Sequence, residues 1–241
     1  MHYRDEGVVL RTIRLGEADR IVTLLTPEHG KVRAVAKGVR KTTSRIGARV
    51  EPLSHVSLLC WRGRELDIIS QVEVLDAFRD VREDLDRLAP ATTMLEVVDL
   101  ASVERHPSRE LFAMLVGALR TLERTASPLV LGAFCLKFLA VEGVGPVVES
   151  CARCGGAPLV AFDPGEGGFL CGRCRRGQAV SATTVALVQQ VLSGGLARAL
   201  NEPSGTATAA VEHLAISAVE HHLERRLRSA RHPLDLEPSG T

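Results

Sequence analysis

Four cysteines in two Cys-x-x-Cys pairs restrict how this chain can fold more than any other feature of its sequence. The four are Cys151, Cys154, Cys171 and Cys174, with sixteen residues between the two pairs. This spacing is typical of a four-cysteine zinc site, in which each pair supplies two thiolates from a tight turn. The intervening residues 158–170, PLVAFDPGEGGFL, predict a hairpin with a glycine-rich turn. We therefore expect a zinc ribbon over residues 151–180.

Zinc held by four protein ligands has no position left for a reacting water, so we expect a structural Zn²⁺ and not a catalytic one. Free or cross-linked thiols are one alternative, which fits a reducing compartment poorly. An iron–sulfur cluster is another and has less support from the spacing. The remaining cysteines, Cys60 and Cys135, lie in apolar runs and are expected to be buried packing residues.

Five short runs of β-branched and aliphatic residues, separated by turn signals, occupy the N-terminal third of the chain. They cover residues 7–15, 20–25, 31–37, 55–61 and 65–75. Five strands at this spacing predict a small antiparallel barrel or sandwich, and about 80 residues is the size of an OB-fold. An SH3-like barrel is the competitor that the sequence leaves open. The last run alternates and predicts a half-buried strand, with one apolar face made by Leu66, Ile68, Val72 and Val74.

From about residue 80 the apolar period becomes helical. Helices are expected over residues 80–88, 90–106, 108–125, 129–143, 183–195 and 207–230. The fourth is apolar nearly all round, which indicates burial in a bundle. The predicted fold class is α+β: an N-terminal five-stranded OB-fold-like β-barrel, then an α-helical domain carrying the zinc ribbon. The predicted domains are residues 1–79 and 80–241, with the insert at 151–180.

One early stretch is strongly basic, although the net charge of the 241-residue chain is only +1. Residues 31–49 contain no acidic residue and seven basic ones, namely Lys31, Arg33, Lys37, Arg40, Lys41, Arg45 and Arg49. Alternation places Lys31, Arg33 and Lys37 on the solvent face of a strand, with Val35 as an apolar exception. An ordinary solvated face mixes both signs of charge, so this one favours nucleic-acid contact. Without a nearby aromatic ring, we expect contacts to phosphates, little sequence preference and strong salt sensitivity.

Motifs of common enzyme classes are missing from the sequence. It has no phosphate-binding loop, no nucleophile elbow and no histidine pair at helical metal-ligand spacing, so we expect a protein that is not an enzyme. There is no apolar window of membrane-spanning length and no signal-peptide apolar region at the start. We therefore expect a cytoplasmic protein without a membrane partner.

At the level of motifs, the chain resembles the RecO family of bacterial recombination mediators. The similarity rests on LGEADRIVTLLT at 15–26, on HGKVRAVAKGVRK at 29–41 followed by SR, and on VEPLSHVSLL at 50–59. A helical domain with a four-cysteine insert and two closing helices agrees with it. The resemblance covers essentially the whole chain, and the N-terminal motif and the cysteine insert are specific in combination.

This resemblance implies an OB-fold that binds single- and double-stranded DNA, and no catalytic residues. It implies annealing of strands coated with single-stranded DNA-binding protein, whose acidic C-terminal tail meets the helical domain. Loading of RecA with the partner RecR, and in some bacteria RecF, is implied as well, at the nucleoid during repair. Family members differ in whether they keep the zinc cysteines. By the matching motif, the DNA-binding role falls on Lys31, Arg33, Lys37, Arg40, Lys41 and Arg45.

Three other functions are compatible with the residues alone. An RNA-binding or transcription-associated module would use the same barrel and zinc ribbon. A zinc hydrolase would need an open metal position, which four thiolate ligands do not leave. A protein-interaction scaffold would bind no nucleic acid at all.

Overall fold

The computed structural model of the chain describes residues 1–39 and 46–230. These residues divide into two compact units, with the boundary between Glu123 and Arg124. The first holds the β-barrel and three helices, and the second holds the cysteine insert and four helices. No helix among the described residues is long and apolar enough to cross a membrane.

A closed five-stranded barrel forms the start of the first unit. Its strands are β1 (His2–Leu15), β2 (Asp19–Thr26), β3 (Gly30–Ala36), β4 (His55–Trp61) and β5 (Asp67–Asp76). They close in the order β1-β2-β3-β5-β4, with a parallel β3–β5 pair and antiparallel pairs elsewhere. The long β1 pairs with β4 through its first half and with β2 through its second half. This closure is that of the OB-fold, so the predicted barrel is confirmed, and we call it the OB barrel.

Strand alternation builds the core of the OB barrel. Along β3 every second residue is buried, and Val32, Ala34 and Ala36 point inward. Gly30, at the start of β3, has a φ of +69°, and the backbone of His106 lies where its Cβ would stand. A side chain at residue 30 is therefore excluded both by conformation and by space.

Burial along β5 differs from the predicted alternation. The pairing of β4 with β5 shifts register at two places, and at one of them Ser70 is the extra residue of a β-bulge. Before the bulge the buried positions are Asp67 and Ile69, and after it the buried position is Val72. The predicted apolar face was therefore wrong at Ile68, which points outward, because the extra residue of a bulge exchanges inward and outward positions. Val74 is on the same side as Val72 but lies near the end of the strand and is 41% exposed.

Three helices follow the barrel: α1 (Arg79–Glu83), α2 (Leu85–Ala101) and α3 (Arg109–Arg124). The carboxylate of Asp84 accepts a hydrogen bond from the backbone N–H of Asp86, which caps α2. Because of this cap, the predicted helix over 80–88 divides into two elements.

The predicted helix over residues 90–106 ends early, at Ala101. Residues 102–106, which we call the crossing segment, run alongside β3 instead. The backbone N–H of Arg105 donates to the carbonyl oxygen of Lys31 at 3.0 Å. Glu104 and Lys31 form an isolated parallel β-bridge. Pairing with β3 therefore replaces the last helical turn.

In the second unit, one α-helix precedes the cysteine insert in the chain and three follow it. They are α4 (Val130–Val141), α5 (Ala182–Leu192), α6 (Leu196–Ala199) and α7 (Thr206–Leu223). Nine of the twelve residues of α4 are buried, as its apolar character predicts, and it packs against α5 and α7. The insert holds β6 (Leu159–Asp163), β7 (Gly168–Cys171) and β8 (Gln178–Ala179), in the sheet order β7-β6-β8.

Candidate nucleic-acid interface and metal site

The outer face of β3 carries the first of the predicted DNA-binding residues. Lys31 and Arg33 point away from the core, with Val35 next in the same row, and the exposed Lys37 follows the strand directly. The predicted alternation is therefore present in the structure. Acidic residues of α2 and of the crossing segment, however, contact this face.

Lys31 is largely covered, because α2 lies over it. Its ammonium nitrogen donates to the carbonyl oxygen of Asp99 at 2.6 Å and lies 3.5 Å from the Asp99 carboxylate, and its side chain is only 15% exposed. The same carboxylate accepts from the guanidinium of Arg11 at 2.5 Å. Asp99 therefore pairs with two cations of the outer barrel surface, and its single negative charge balances only one of them.

Arg33 is paired as well, though less tightly. Its guanidinium lies 3.6 Å from the carboxylate of Glu104 in the crossing segment, and both side chains remain partly exposed. An exposed pair of this kind contributes roughly 0–1 kcal/mol, so a phosphate could compete with Glu104 for Arg33. The stretch 31–49 has no acidic residue of its own, and helix α2 and the crossing segment supply the acids instead.

A buried carboxylate anchors the crossing segment to the barrel. Asp67, fully buried, accepts from the guanidinium of Arg105 at 2.9 Å, from the phenol of Tyr3 and from the backbone N–H of Gly63 at 3.0 Å. Burial alone would raise the pKa of Asp67, but the bonds from Arg105 and Tyr3 outweigh it and hold that pKa below its ordinary value. Burial, and then the bond to Asp67, raises the pKa of Tyr3.

The remaining predicted DNA-binding residues lie farther along the chain. Arg49 is exposed in a short 3₁₀-helix, Gly47–Val50, and donates from Nη1 to the carbonyl oxygen of Val72 at 3.2 Å. Three residues, Arg40, Lys41 and Arg45, lie outside the described residues. Contact of any of the seven with DNA stays a prediction.

The four cysteines of the insert come together in one cluster. Cys151 and Cys154 lie on the turn before β6, Cys171 ends β7, and Cys174 follows it. Their sulfur atoms all lie within 4.8 Å of one another, and the Cys154 and Cys171 sulfurs are 3.6 Å apart. A tetrahedral site with metal–sulfur bonds of about 2.3 Å has sulfur–sulfur edges of about 3.8 Å. The cluster therefore has the size that binds a single metal ion.

Backbone N–H groups prepare part of this cluster to bind a cation. Donation from Cys171, and then from Arg153 and Cys154, lowers the pKa of Cys151 to about 6. Donation from the backbone of Cys174 lowers the pKa of Cys171 as well. Metal ligation requires thiolates, so these donors favour the binding form of both thiols. The other two cysteines, Cys60 and Cys135, are buried as predicted.

A second group of cations surrounds the cysteine insert. Arg176 is paired with Asp163 at 3.5 Å and with Glu166, so its charge is balanced within the insert. Arg173 and Arg175 are exposed. The sulfur of Cys154 accepts from Arg173 and raises its pKa, which ties this arginine to the cluster.

Sequence comparison with known proteins assigns the chain to a family. A model described as Recombination protein O N terminal matches residues 1–78, and one described as Recombination protein O C terminal matches residues 82–231. The chain belongs to the RecO family. The expected resemblance is thus confirmed over nearly the whole length, and RecO membership supports a role in DNA repair.

Two curated RecO relatives are similar over almost their full length. A DNA repair protein RecO from a Nocardioides species is 47% identical over an alignment of 246 residues. The alignment covers 95% of this chain and 98% of the relative. A DNA repair protein RecO from Frankia casuarinae is 46% identical over 241 residues, covering 94% of this chain and 96% of the relative. Both RecO relatives are therefore comparable with this chain end to end.

Sequence reasoning missed the acids that meet the basic face. Asp99 is 68 residues from Lys31 along the chain, and Glu104 is 71 residues from Arg33. No local pattern connects such distant positions. The one signal that could have indicated an interruption was the polar run SVERH at 102–106, which follows the last apolar residues of α2.

Proposed function

We propose that this chain is a DNA-binding recombination mediator in DNA repair. It anneals complementary single strands and helps to load RecA recombinase onto DNA coated with single-stranded DNA-binding protein. The observation that carries the proposal is an OB barrel in a chain of the RecO family. OB barrels hold oligonucleotides on their outer strands and loops, and a repair protein needs a surface of that kind.

Annealing requires two polyanions to approach each other, and cations on one surface lower that barrier. Lys37 after β3 and Arg49 in the short 3₁₀-helix are exposed, and Arg33 has only a partly exposed acidic partner. With the predicted contacts Arg40, Lys41 and Arg45, these residues would neutralise phosphates of both strands. Base pairing makes and breaks no covalent bond, so the proposal assigns no catalytic residue and the chain is not an enzyme.

We propose further that a structural Zn²⁺ is held by the four clustered cysteines, Cys151, Cys154, Cys171 and Cys174. Support comes from the sulfur–sulfur distances and from the backbone donors that favour thiolates at Cys151 and Cys171. When bound, the ion would cross-link the two turns of an insert that has a small core of its own. The cysteines would hold the ion, and none of them would take part in a reaction.

The proposed partners follow from the family. They are single- and double-stranded DNA, RecR, the acidic C-terminal tail of single-stranded DNA-binding protein, RecA, and in some bacteria RecF. In this proposal residues 1–79 bind DNA and the helical domain, residues 80–241, receives the acidic tail. The proposed compartment is the cytoplasm, with recruitment to the nucleoid during repair.

An annealing assay tests the proposal. Complementary strands coated with single-stranded DNA-binding protein are mixed with and without this chain, and pairing is followed by fluorescence. We expect faster pairing at low salt and a loss of the acceleration in the variant with Lys37, Arg40 and Lys41 changed to Ala. An uncoated pair of strands serves as the control. No acceleration at any salt concentration would contradict annealing, and stronger binding to RNA than to DNA in direct competition would favour the RNA-binding alternative.

A further inference from the structure

An apolar row crosses the outer surface of the OB barrel on all five strands. Registered partners connect it from strand to strand: Ile13 pairs with Ile21, Ile21 with Val35, Val35 with Ile68, and Ile68 with Trp61. Directly paired residues point to the same face of a sheet. We call these five side chains the apolar row.

The apolar row points away from the core. Each of its members on β2 to β5 lies next to an inward residue, for example Val22 beside Ile21 and Cys60 beside Trp61. Ile13 and Trp61, at the two ends of the row, are each 47% exposed. Ile21, Val35 and Ile68, between these ends, are partly exposed. A stripe of this kind on a closed barrel packs against nothing inside the barrel, so its exposed parts are available to a ligand.

The neighbouring part of the same outer surface is not free. Thr23, two residues beyond Ile21 on the outward side of β2, is only 1% exposed, and Lys31 is tied to Asp99 of α2. Within the described residues of the first unit, helix α2 and the crossing segment contact that part of the surface, whereas Ile13 and Trp61 at the ends of the apolar row remain exposed. The apolar row therefore adjoins the basic face predicted from sequence and lies beyond its covered end at Lys31.

Cations border the apolar row. Four exposed ones are Arg14 on β1, Lys37 after β3, and Arg62 and Arg64 in the loop between β4 and β5. None of the four has an ion-pair partner among the residues that the structure describes. Two acids lie nearby, Glu17 in the loop between β1 and β2 and Glu65 in the loop between β4 and β5. The four cations therefore outnumber the acids at this border. An apolar centre with a cationic border matches a ligand that has apolar flat groups along an anionic backbone.

From this match we infer that the apolar row binds the unpaired bases of single-stranded DNA, with Trp61 stacking on one base. The inference rests on the proposed DNA-binding function and deepens it. Four strand spacings of about 4.8 Å give a track of about 19 Å along the barrel surface. Lys37, Arg62 and Arg64 hold the phosphates at its border.

Single-strand selectivity follows from the chemistry of the row. In a duplex the base faces are stacked on one another, so only the phosphate contacts remain. Aromatic stacking is tolerant of sequence because every base has a π-face. The row therefore adds affinity for single strands of any sequence and none for a duplex. For an annealing protein this difference favours holding strands that are still unpaired and releasing the paired product.

Trp61 makes the test direct, because it is the only tryptophan in the chain. Titration of the full-length protein with oligo(dT) should quench its fluorescence, whereas a duplex of equal length should not. With a dye-labelled oligonucleotide, Trp61→Ala should weaken single-strand binding roughly 5- to 150-fold, and Trp61→Phe should retain most of it. The slope of affinity against salt should stay unchanged in both variants, since no phosphate contact is removed.

Two further variants separate the row from a general effect of surface apolar residues. Ile13→Gln changes the other end of the row and should weaken single-strand binding by a smaller factor. Leu85→Gln changes a residue on α2 that is 79% exposed and outside the row, so it should change nothing. Far-ultraviolet circular dichroism checks that all variants are folded.

The outcomes are distinguishable from failure of the proposed function. Binding of labelled DNA without quenching, together with an unchanged affinity of Trp61→Ala, would overturn the apolar row as a base-binding surface and leave DNA binding intact. Equal losses for single strands and duplexes would overturn it too. Absence of binding to any DNA would contradict the proposed function itself. Protection of Trp61 by RecR in the absence of DNA would assign the row to a protein partner instead.

Discussion

Asp67 is the residue on which the arrangement of the basic surface depends. Its carboxylate holds Arg105, and Arg105 holds the crossing segment against β3. Glu104, the neighbour of Arg105, is thereby brought to Arg33. A single buried acid on β5 thus helps to place the acid that pairs with Arg33.

Replacing this acid gives a first prediction. Asp67→Asn should destabilise the barrel by about 1–3 kcal/mol at pH 7, because Arg105 loses its charged partner in a buried setting. The folded-state pKa of Asp67 is depressed, so its contribution is present above the unfolded value of about 3.9 and is lost as pH falls below it. Urea unfolding followed by Trp61 fluorescence at pH 7 and pH 3 measures both effects. Equal acid sensitivity of the wild type and Asp67→Asn would contradict this account.

A second prediction concerns the acid that faces Arg33. Glu104→Gln should strengthen DNA binding about 1.5- to 5-fold, because it releases Arg33 from an exposed ion pair. Binding isotherms at several salt concentrations measure it. Glu110→Gln on α3 is the matched control, since it makes the same change in net charge at an exposed acid. If both variants gain equally, only the net charge matters and the Glu104–Arg33 pair does not.

Among the elements, the cysteine insert is the one whose sequence specifies it most locally. Its two turns and its hairpin are specified within about 25 residues, and the predicted hairpin over 158–170 is confirmed as β6 and β7. The core of the cluster region is small, formed mainly by Cys151, Cys171, Ala161 and Leu170. Phe162 and Phe169 of the same hairpin are buried, so the part that lacks apolar packing is the pair of cysteine turns, and we expect these turns to need a cross-link to stay folded.

Metal removal gives the third prediction. The purified chain should contain one zinc ion, and Cys171→Ser should lose it, because three ligands bind far more weakly than four. Chelation should expose the backbone amides of β6 and β7 to hydrogen exchange while those of the OB barrel stay protected. Elemental analysis and exchange mass spectrometry measure this, with Cys60→Ala as the control that keeps the metal. Unchanged exchange after complete metal loss would contradict a structural role.

Across the whole molecule, exposure and not sequence clustering determines which cations can act. Seven basic residues lie close together in sequence, within residues 31–49. Nevertheless, Lys31 is bonded to Asp99 whereas Lys37 is exposed. The net charge of +1 gives no general attraction to DNA, so we expect the proposed binding to depend on local cations such as Lys37.

The fourth prediction compares these two lysines. Lys37→Ala should lower the slope of log affinity against log salt by about 0.7 on single strands, as expected for one lost phosphate contact. Lys31→Ala should lower it by less, because the Lys31 ammonium is largely covered and already bonded to Asp99. Both variants remove one positive charge, so each is the control for the other. Equal changes in slope would mean that the pair with Asp99 opens when DNA binds.

Local patterns in the sequence determined most elements of this protein. Strand alternation, turn residues and the cysteine spacing act over a few residues, so the five strands, the hairpin and the cysteine cluster could be predicted. Only the tertiary structure decided the bulge at Ser70, the end of α2 at Ala101 and the pairing of Lys31 and Arg33 with acids. It also decided that Val35, an exception within a basic face, belongs to an apolar row. Each of these depends on residues far apart in the chain, whose contacts form only when the barrel closes.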